Sequence, residues 1–153
     1  MVKEVGKKLI AQNKAARHDY FIEEVFEAGL VLTGTEVKSL RAGHGSLKGA
    51  RVLARGGEAY LVGASIPAWQ IANAAKSYDP ERNRRLLLAK KQILQIAGAE
   101  SAQGLTIIPI SVYNSGRNLK LRIAIVRGKK REDKRHSIRE REEKRRIDRT
   151  LKN

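Results

Sequence analysis

The chain's only imidazoles, His18, His44 and His136, are scattered, and no pair has metal-ligand spacing. Cysteine is absent, which removes disulfides, thiolate metal sites and cysteine nucleophiles together. His18-Asp19 could form an acid–base dyad, but HDYFIEEVF reads as a strand, and neighbours on a strand point to opposite faces. An exposed polar pair is the expectation there. GTEVKS lacks the glycine that a phosphate-binding loop needs before its lysine, since Val37 stands in that place. The glycines of GHGSLKG and RGGEA read as turns, and Ser39 has no base at a recognisable spacing. No catalytic constellation survives, so no enzymatic activity, metal or cofactor is expected.

Cationic residues are the better candidates. Lys38 and Arg41 lie three apart in TEVKSLR, and Arg82, Arg84 and Arg85 crowd DPERNRRLLL. Arginine at a helix N-terminus opposes the helix dipole, so three there imply an anionic partner or a structural compromise. Tyr20, Phe21, Trp69 and Tyr78 could stack on bases, though Phe21 and Trp69 are expected in the core. Aromatics are only 5% of residues, too few for an extended stacking platform. RNA read by shape and backbone therefore fits better than a single strand read by sequence.

The whole composition points the same way. Lysine and arginine number 32 against 16 acidic residues, a formal charge of +16, and so strong a field favours a polyanionic partner. A membrane surface is the weaker choice: LTIIPISVY and LVGASIPAW fall far short of the ~20 apolar residues that span a bilayer. The N-terminus also lacks the apolar core and cleavage site of a secretory signal, so a cytoplasmic location is expected.

The elements that must position these residues can be read from period and turn chemistry. Leu119, Leu121, Ile123 and Ile125 alternate with Lys120, Arg122, Ala124 and Val126, a strand with one buried face. LTIIPISVY precedes it, and NSGRN between them predicts a hairpin with a loop of about five residues. Pro109 cannot donate to a ladder and should lie on an edge or at a bulge. HDYFIEEVF, AGLVLT, ARVLAR and EAYLVGASI are four further strands, the last two joined at Gly56-Gly57. TEVKSLR predicts a short helix capped by Thr35 with Val37 and Leu40 inward. DPERNRRLLLAKKQILQIAG predicts a helix of about four to five turns, capped by Asp79 and ended by Gly98. The expected fold is mainly β: a closed antiparallel barrel of about six strands, of oligonucleotide-binding type, with one long and one or two short helices.

At 153 residues a single domain is expected. Its boundary falls where the composition changes after Val126, because residues 127–153 hold 13 basic and 6 acidic residues with few apolar ones. The expected division is a flexible segment 1–12, a barrel 13–127 and a basic tail 128–153. The tail cannot build a core and is expected to be disordered when free. Its i, i+4 pairs Glu140–Lys144 and Glu142–Arg146 bias it toward helix once a partner is present.

NKAARHDYFIEEVFEAGLVLTGTEVKSLRAG, DPERNRRLLLAKKQI and GKKREDKR, in this order and spacing, resemble the family of SsrA-binding proteins of bacterial trans-translation. The resemblance covers nearly the whole chain from Asn13. It implies a barrel that binds the tRNA-like domain of transfer-messenger RNA, stands in for its missing anticodon arm and brings it to stalled ribosomes. It further implies RNA contacts at Asn13, His18, Glu27, Lys38, Arg41 and Leu87, to which the basic cluster adds Arg84 and Arg85. Gly128 would be a flexible exit to a tail whose Lys129, Lys130, Asp133, Lys134 and Arg135 meet the ribosome at the decoding centre and messenger channel. Elongation factor Tu would be met only through the charged RNA, and the protein would be a monomer. Ser77-Tyr78-Asp79-Pro80, Ala89 and Trp69 depart from the family's common pattern. Composition alone is equally compatible with a structural ribosomal or ribosome-assembly protein.

Overall fold

The computed structural model describes residues 8–70 and 77–151. Along the described chain run β1 (Leu9–Gln12), α1 (Ala15–Asp19), β2 (Tyr20–Leu30), α2 (Gly34–Arg41), β3 (Arg51–Arg55) and β4 (Glu58–Val62). There follow β5 (Arg84–Leu87), α3 (Lys90–Ser101), β6 (Leu105–Ser115), β7 (Asn118–Gly128) and α4 (Arg131–Leu151). All strands join one antiparallel sheet in the order β1-β6-β7-β2-β5-β4-β3.

The expected closed barrel is corrected to an open, curled sheet, with β1 and β3 as its edges. β3 and β6 approach each other without pairing, and α3 packs on both. Its Glu100 carboxylate accepts the Ala54 backbone N–H at 2.8 Å, so a side chain occupies a donor on the β3 edge that barrel closure would require.

The alternation read in residues 119–126 holds. Leu119, Leu121, Ile123 and Ile125 join Ile107, Val112, Phe26, Leu61 and Ile96 in the main core. On the other face Ala124, Val126 and Ile108 are also buried, because Ala16 of α1 covers them. The hairpin is tighter than expected: Ser115 pairs with Asn118, leaving a two-residue turn in which Gly116 takes φ +61°. Pro109 does lie beside a bulge, where the β6–β7 register shifts before Ser111. Gly56 and Gly57, both at positive φ, turn β3 into β4 as expected.

Three local expectations fail. The two strands expected in HDYFIEEVF and AGLVLT are one, β2, which starts at Tyr20, ends at Leu30 and shifts register between Ile22 and Glu24. Residues 9–12, expected to lack a fixed fold, form an edge strand on β6; residues 1–7 lie outside the described residues. The long helix from Asp79 is also absent. The Asp79 carboxylate caps only a single turn, accepting the Glu81 N–H at 2.9 Å, and RRLL becomes β5. There Arg84 and Leu86 are buried while Arg85 and Leu87 are exposed, a period of two. The helix itself, α3, starts at Lys90 and runs through Gly98 to Ser101. Residues 131–151, expected to turn helical on a partner, are helical here as α4, with both Ile138 and Ile147 exposed.

Candidate nucleic-acid interface

The outward face of the sheet is organised by β2. Phe26 and Ala28 point into the core, so Val25 and Glu27 point out. Glu27 pairs in register with Arg122 on β7, and their charged groups stand 3.8 Å apart. The Arg122 guanidinium also lies 5.3 Å from the centroid of the Tyr113 ring. Of the chemical reasons for a carboxylate on such a surface, orientation of a neighbouring arginine is the one this geometry favours. Two residues on, Gly29 lies between Lys120 of β7 and Leu87 of β5. A Cβ at Gly29 would sit 3.1 Å from that of Leu87, so the glycine makes room for a leucine that is 54% exposed.

Beside this face runs a groove lined by Val37, Leu87, Arg117 and Lys120 among others. Its α2 wall carries Lys38 and Arg41, both exposed, and Arg41 donates to the Arg117 carbonyl in the β6–β7 turn at 2.9 Å. α2 is capped by Thr33, not by the expected Thr35. The Thr33 hydroxyl accepts the Glu36 N–H while the Glu36 carboxylate accepts the Thr33 N–H at 2.9 Å. Arg85 is exposed and bidentate to Glu58, at 2.8 and 3.1 Å.

α1 lies on the same outward side, over Ala124, which pairs with Val25. α1, which carries His18, thus lies on the Val25 side of this face, and Leu87 lies beside Gly29, about 13 Å further along β2 at ~3.3 Å per residue. Asn13 fixes the entry to α1 by donating its backbone N–H to the Ile110 carbonyl and its side-chain amide to that of Pro109, at 2.8 and 2.9 Å. The strand geometry expected for His18-Asp19 is corrected. Both end a helix, and His18 Nδ1 lies 2.7 Å from Asp19 Oδ1. The partnership with His18 holds the Asp19 carboxyl below its usual range, aided by Lys134 and opposed by burial.

Arg84 does not belong to the surface: it has no solvent exposure, which corrects its assignment as a contact. Its Nε and Nη2 meet the Glu36 carboxylate at 2.8 and 2.7 Å. Its other hydrogens go to the carbonyls of Ala64, Arg82 and Pro80 at 2.8–3.0 Å. Arg82 adds a second guanidinium to Glu36, and the Tyr78 hydroxyl a longer contact of 3.4 Å. Burial alone would raise the Glu36 pKa, but Arg82, the Thr33 N–H and Arg84 outweigh it and hold the group at about 2. This joint clamps α2, which carries Lys38 and Arg41, to β5, which carries Leu87. Sequence reading missed Glu36, although T-x-x-E at 33–36 is a capping-box signal.

The tail leaves beside α1. Gly128, expected as a flexible exit, is the last residue of β7 and pairs with Tyr20. Lys129 then donates its N–H to the Asp19 carbonyl at 2.8 Å, while its ammonium reaches the Arg17 carbonyl at 3.0 Å and Ser137 at 2.8 Å. That ammonium also lies 5.1 Å from the centroid of the Phe21 ring. Phe21 and Trp69, expected in the core, are 46% and 42% exposed. Lys134 Nζ stands 3.5 Å from Asp19 Oδ1, and Asp133 accepts the Lys130 N–H at 3.2 Å. Lys130 and Arg135 are exposed. Among the described residues no group of three His, Cys, Asp or Glu could hold a metal, and no helix is long and apolar enough to cross a membrane.

The model of the SmpB protein family matches residues 10–153 of this chain. The chain belongs to the SmpB family. It is 50% identical over 146 residues to the SsrA-binding protein of Bifidobacterium longum (strain DJO10A), covering 95% of this chain and 92% of that one. It is 46% identical over 151 residues to the SsrA-binding protein of Acidothermus cellulolyticus, covering 99% and 94%. A chain solved in work on tmRNA–SmpB and the center of the bacterial ribosome superposes with a TM-score of 0.66 at 39% identity, covering 84% of this chain and 93% of that one. The likeness to SmpB proteins therefore spans the sheet and reaches into the tail, and the resemblance read from the motifs holds.

Proposed function

We propose that this SmpB-family chain binds transfer-messenger RNA and delivers it to stalled ribosomes in trans-translation. The outward sheet face holds the tRNA-like domain in place of the missing anticodon arm, and the tail probes the empty messenger channel and decoding centre. The observation that carries this is the 50% identity to an SsrA-binding protein across 95% of the chain. The arrangement of Glu27, Arg122, Lys120 and Leu87 on one face supports it, since a charged surface with few exposed apolar side chains, Val25 and Leu87 among them, and no aromatic platform suits a folded RNA better than an open strand. On this reading Asn13, His18, Glu27, Lys38, Arg41, Arg85 and Leu87 border the RNA. Gly128, Lys129, Lys130, Asp133, Lys134 and Arg135 set the path of the tail on the ribosome. An α4 with no apolar face of its own is suited to docking on ribosomal RNA.

Two measurements test this. RNA co-purifying with the protein from cells, once sequenced, should be dominated by one tRNA-like species; a preparation dominated by ribosomal RNA overturns the proposal. Truncation after Arg127 should leave affinity for that RNA within about threefold, because the sheet face keeps its contacts, and should abolish tagging of stalled products. Loss of RNA affinity on truncation would make the tail a mere electrostatic tether.

A further inference from the structure

We infer that Asp19 is a positioning residue shared by the RNA face and the tail. A single atom, its Oδ1, meets His18 Nδ1 at 2.7 Å and Lys134 Nζ at 3.5 Å. His18 borders the surface assigned above to RNA, and Lys134 lies in the first turns of α4. The inference therefore rests on that assignment. With Nδ1 engaged by Asp19, the imidazole ring is held in one orientation and its Nε2 is left to face a ligand. The same oxygen holds the first turn of α4 against α1, where the Asp19 carbonyl also accepts the Lys129 N–H and the Lys129 ammonium closes on Arg17 and Ser137. Two further features mark the junction as built: the Phe21 ring lies against the Lys129 ammonium, and Ser137 in turn donates to the Asp133 carbonyl at 3.1 Å. The carboxylate that orients an RNA-facing side chain thus also sets the angle at which the tail departs.

The two bonds differ in what they require of residue 19, and this makes the inference testable. His18 needs an acceptor oxygen, which asparagine keeps. Lys134 at 3.5 Å is held by charge, which asparagine loses. With the full-length protein and a tmRNA transcript as probe, His18→Ala should weaken binding. Asp19→Ala should weaken it about three- to tenfold, the range of one lost orienting hydrogen bond, with no further loss in the double variant. Asp19→Asn should restore RNA affinity to near the parent value. In the free protein, hydrogen exchange of the amides of residues 130–138 should accelerate in Asp19→Ala, Asp19→Asn and Lys134→Ala alike. The inference is overturned if Asp19→Ala changes only one readout, if its effect on RNA adds fully to that of His18→Ala, or if asparagine rescues both readouts equally. If His18→Ala leaves RNA affinity unchanged, the placement of His18 in the interface fails as well, a result distinct from the other three.

Discussion

Glu36 and Asp19 each gather basic side chains from distant parts of the chain, Glu36 with no exposure and Asp19 with its side chain 37% exposed. Glu36 draws in Arg82 and Arg84 from 46 and 48 residues away. Asp19 draws in Lys134 and its own neighbour His18. Burial makes the first joint a condition of folding, since either partner without the other would be a charge stranded in the core. Exposure makes the second weak in energy, because water screens it, yet able to set direction. One holds α2 to β5 beneath Lys38, Arg41 and Leu87, and the other holds α1 to the root of the tail.

The sharpest way to break the comparison is at its buried member. Arg84→Ala should cost about 3–5 kcal/mol in urea unfolding, because the Glu36 carboxylate would remain buried with one of its two guanidinium partners gone. Pairing Glu36→Gln with Arg84→Met should recover much of that loss, since no fully buried charge is then left and the Arg82 guanidinium, 34% exposed, can turn to water. A cost under about 1 kcal/mol for Arg84→Ala would mean the joint is not the clamp described.

Acid should act on the same joint. The Glu36 carboxyl is held at about 2, below its ordinary 4.5, so the folded form binds its proton less readily than the unfolded one. The resulting stability, about 3 kcal/mol, is present above pH ~4.5 and is lost as pH falls toward 2. Urea midpoints measured from pH 6 to 2 should show that fall, and a Glu36→Gln variant should show a flatter profile across the same window.

On the outward face the effect should move from stability to binding. Glu27→Ala should weaken tmRNA binding about tenfold, by freeing the Arg122 guanidinium from its orientation, and shift stability by less than about 0.5 kcal/mol. Equal losses in affinity and stability would show that Glu27 serves the sheet and not the RNA. Lys134→Ala, which removes one screened ion pair, should change unfolding free energy by less than about 0.5 kcal/mol. A cost near that of Arg84→Ala would erase the distinction between the two joints.

What could be read in the sequence was whatever depends on near neighbours. Gly56-Gly57 announced its turn, residues 119–126 their alternation, Pro109 its bulge and the motifs their family, because each signal lies within a few positions or in a matched order of residues. NRRLLLAKK was misread for the same reason. Leucines and basic residues favour a helix locally, and only the exposure of alternate residues in the sheet reveals a strand. The short run 9–12 shows no local strand signal and is strand because the edge of β6 is there to receive it.

Composition and order of residues, then, determined that this is a basic, mainly β protein of the SmpB family with a tail that can bury nothing. Tertiary structure decided which arginine faces solvent and which is sealed inside. Arg84 and Arg85 are adjacent and chemically identical. The alternation of β5 turns one inward, where Glu36 from α2 meets it, and the other outward, where Glu58 from β4 meets it, and this separates a structural cation from a surface one. The same holds for the open sheet, where Glu100 of α3 takes an edge N–H of β3. The energy of a charge or an unpaired backbone donor depends on what surrounds it in space, and only folding supplies those surroundings.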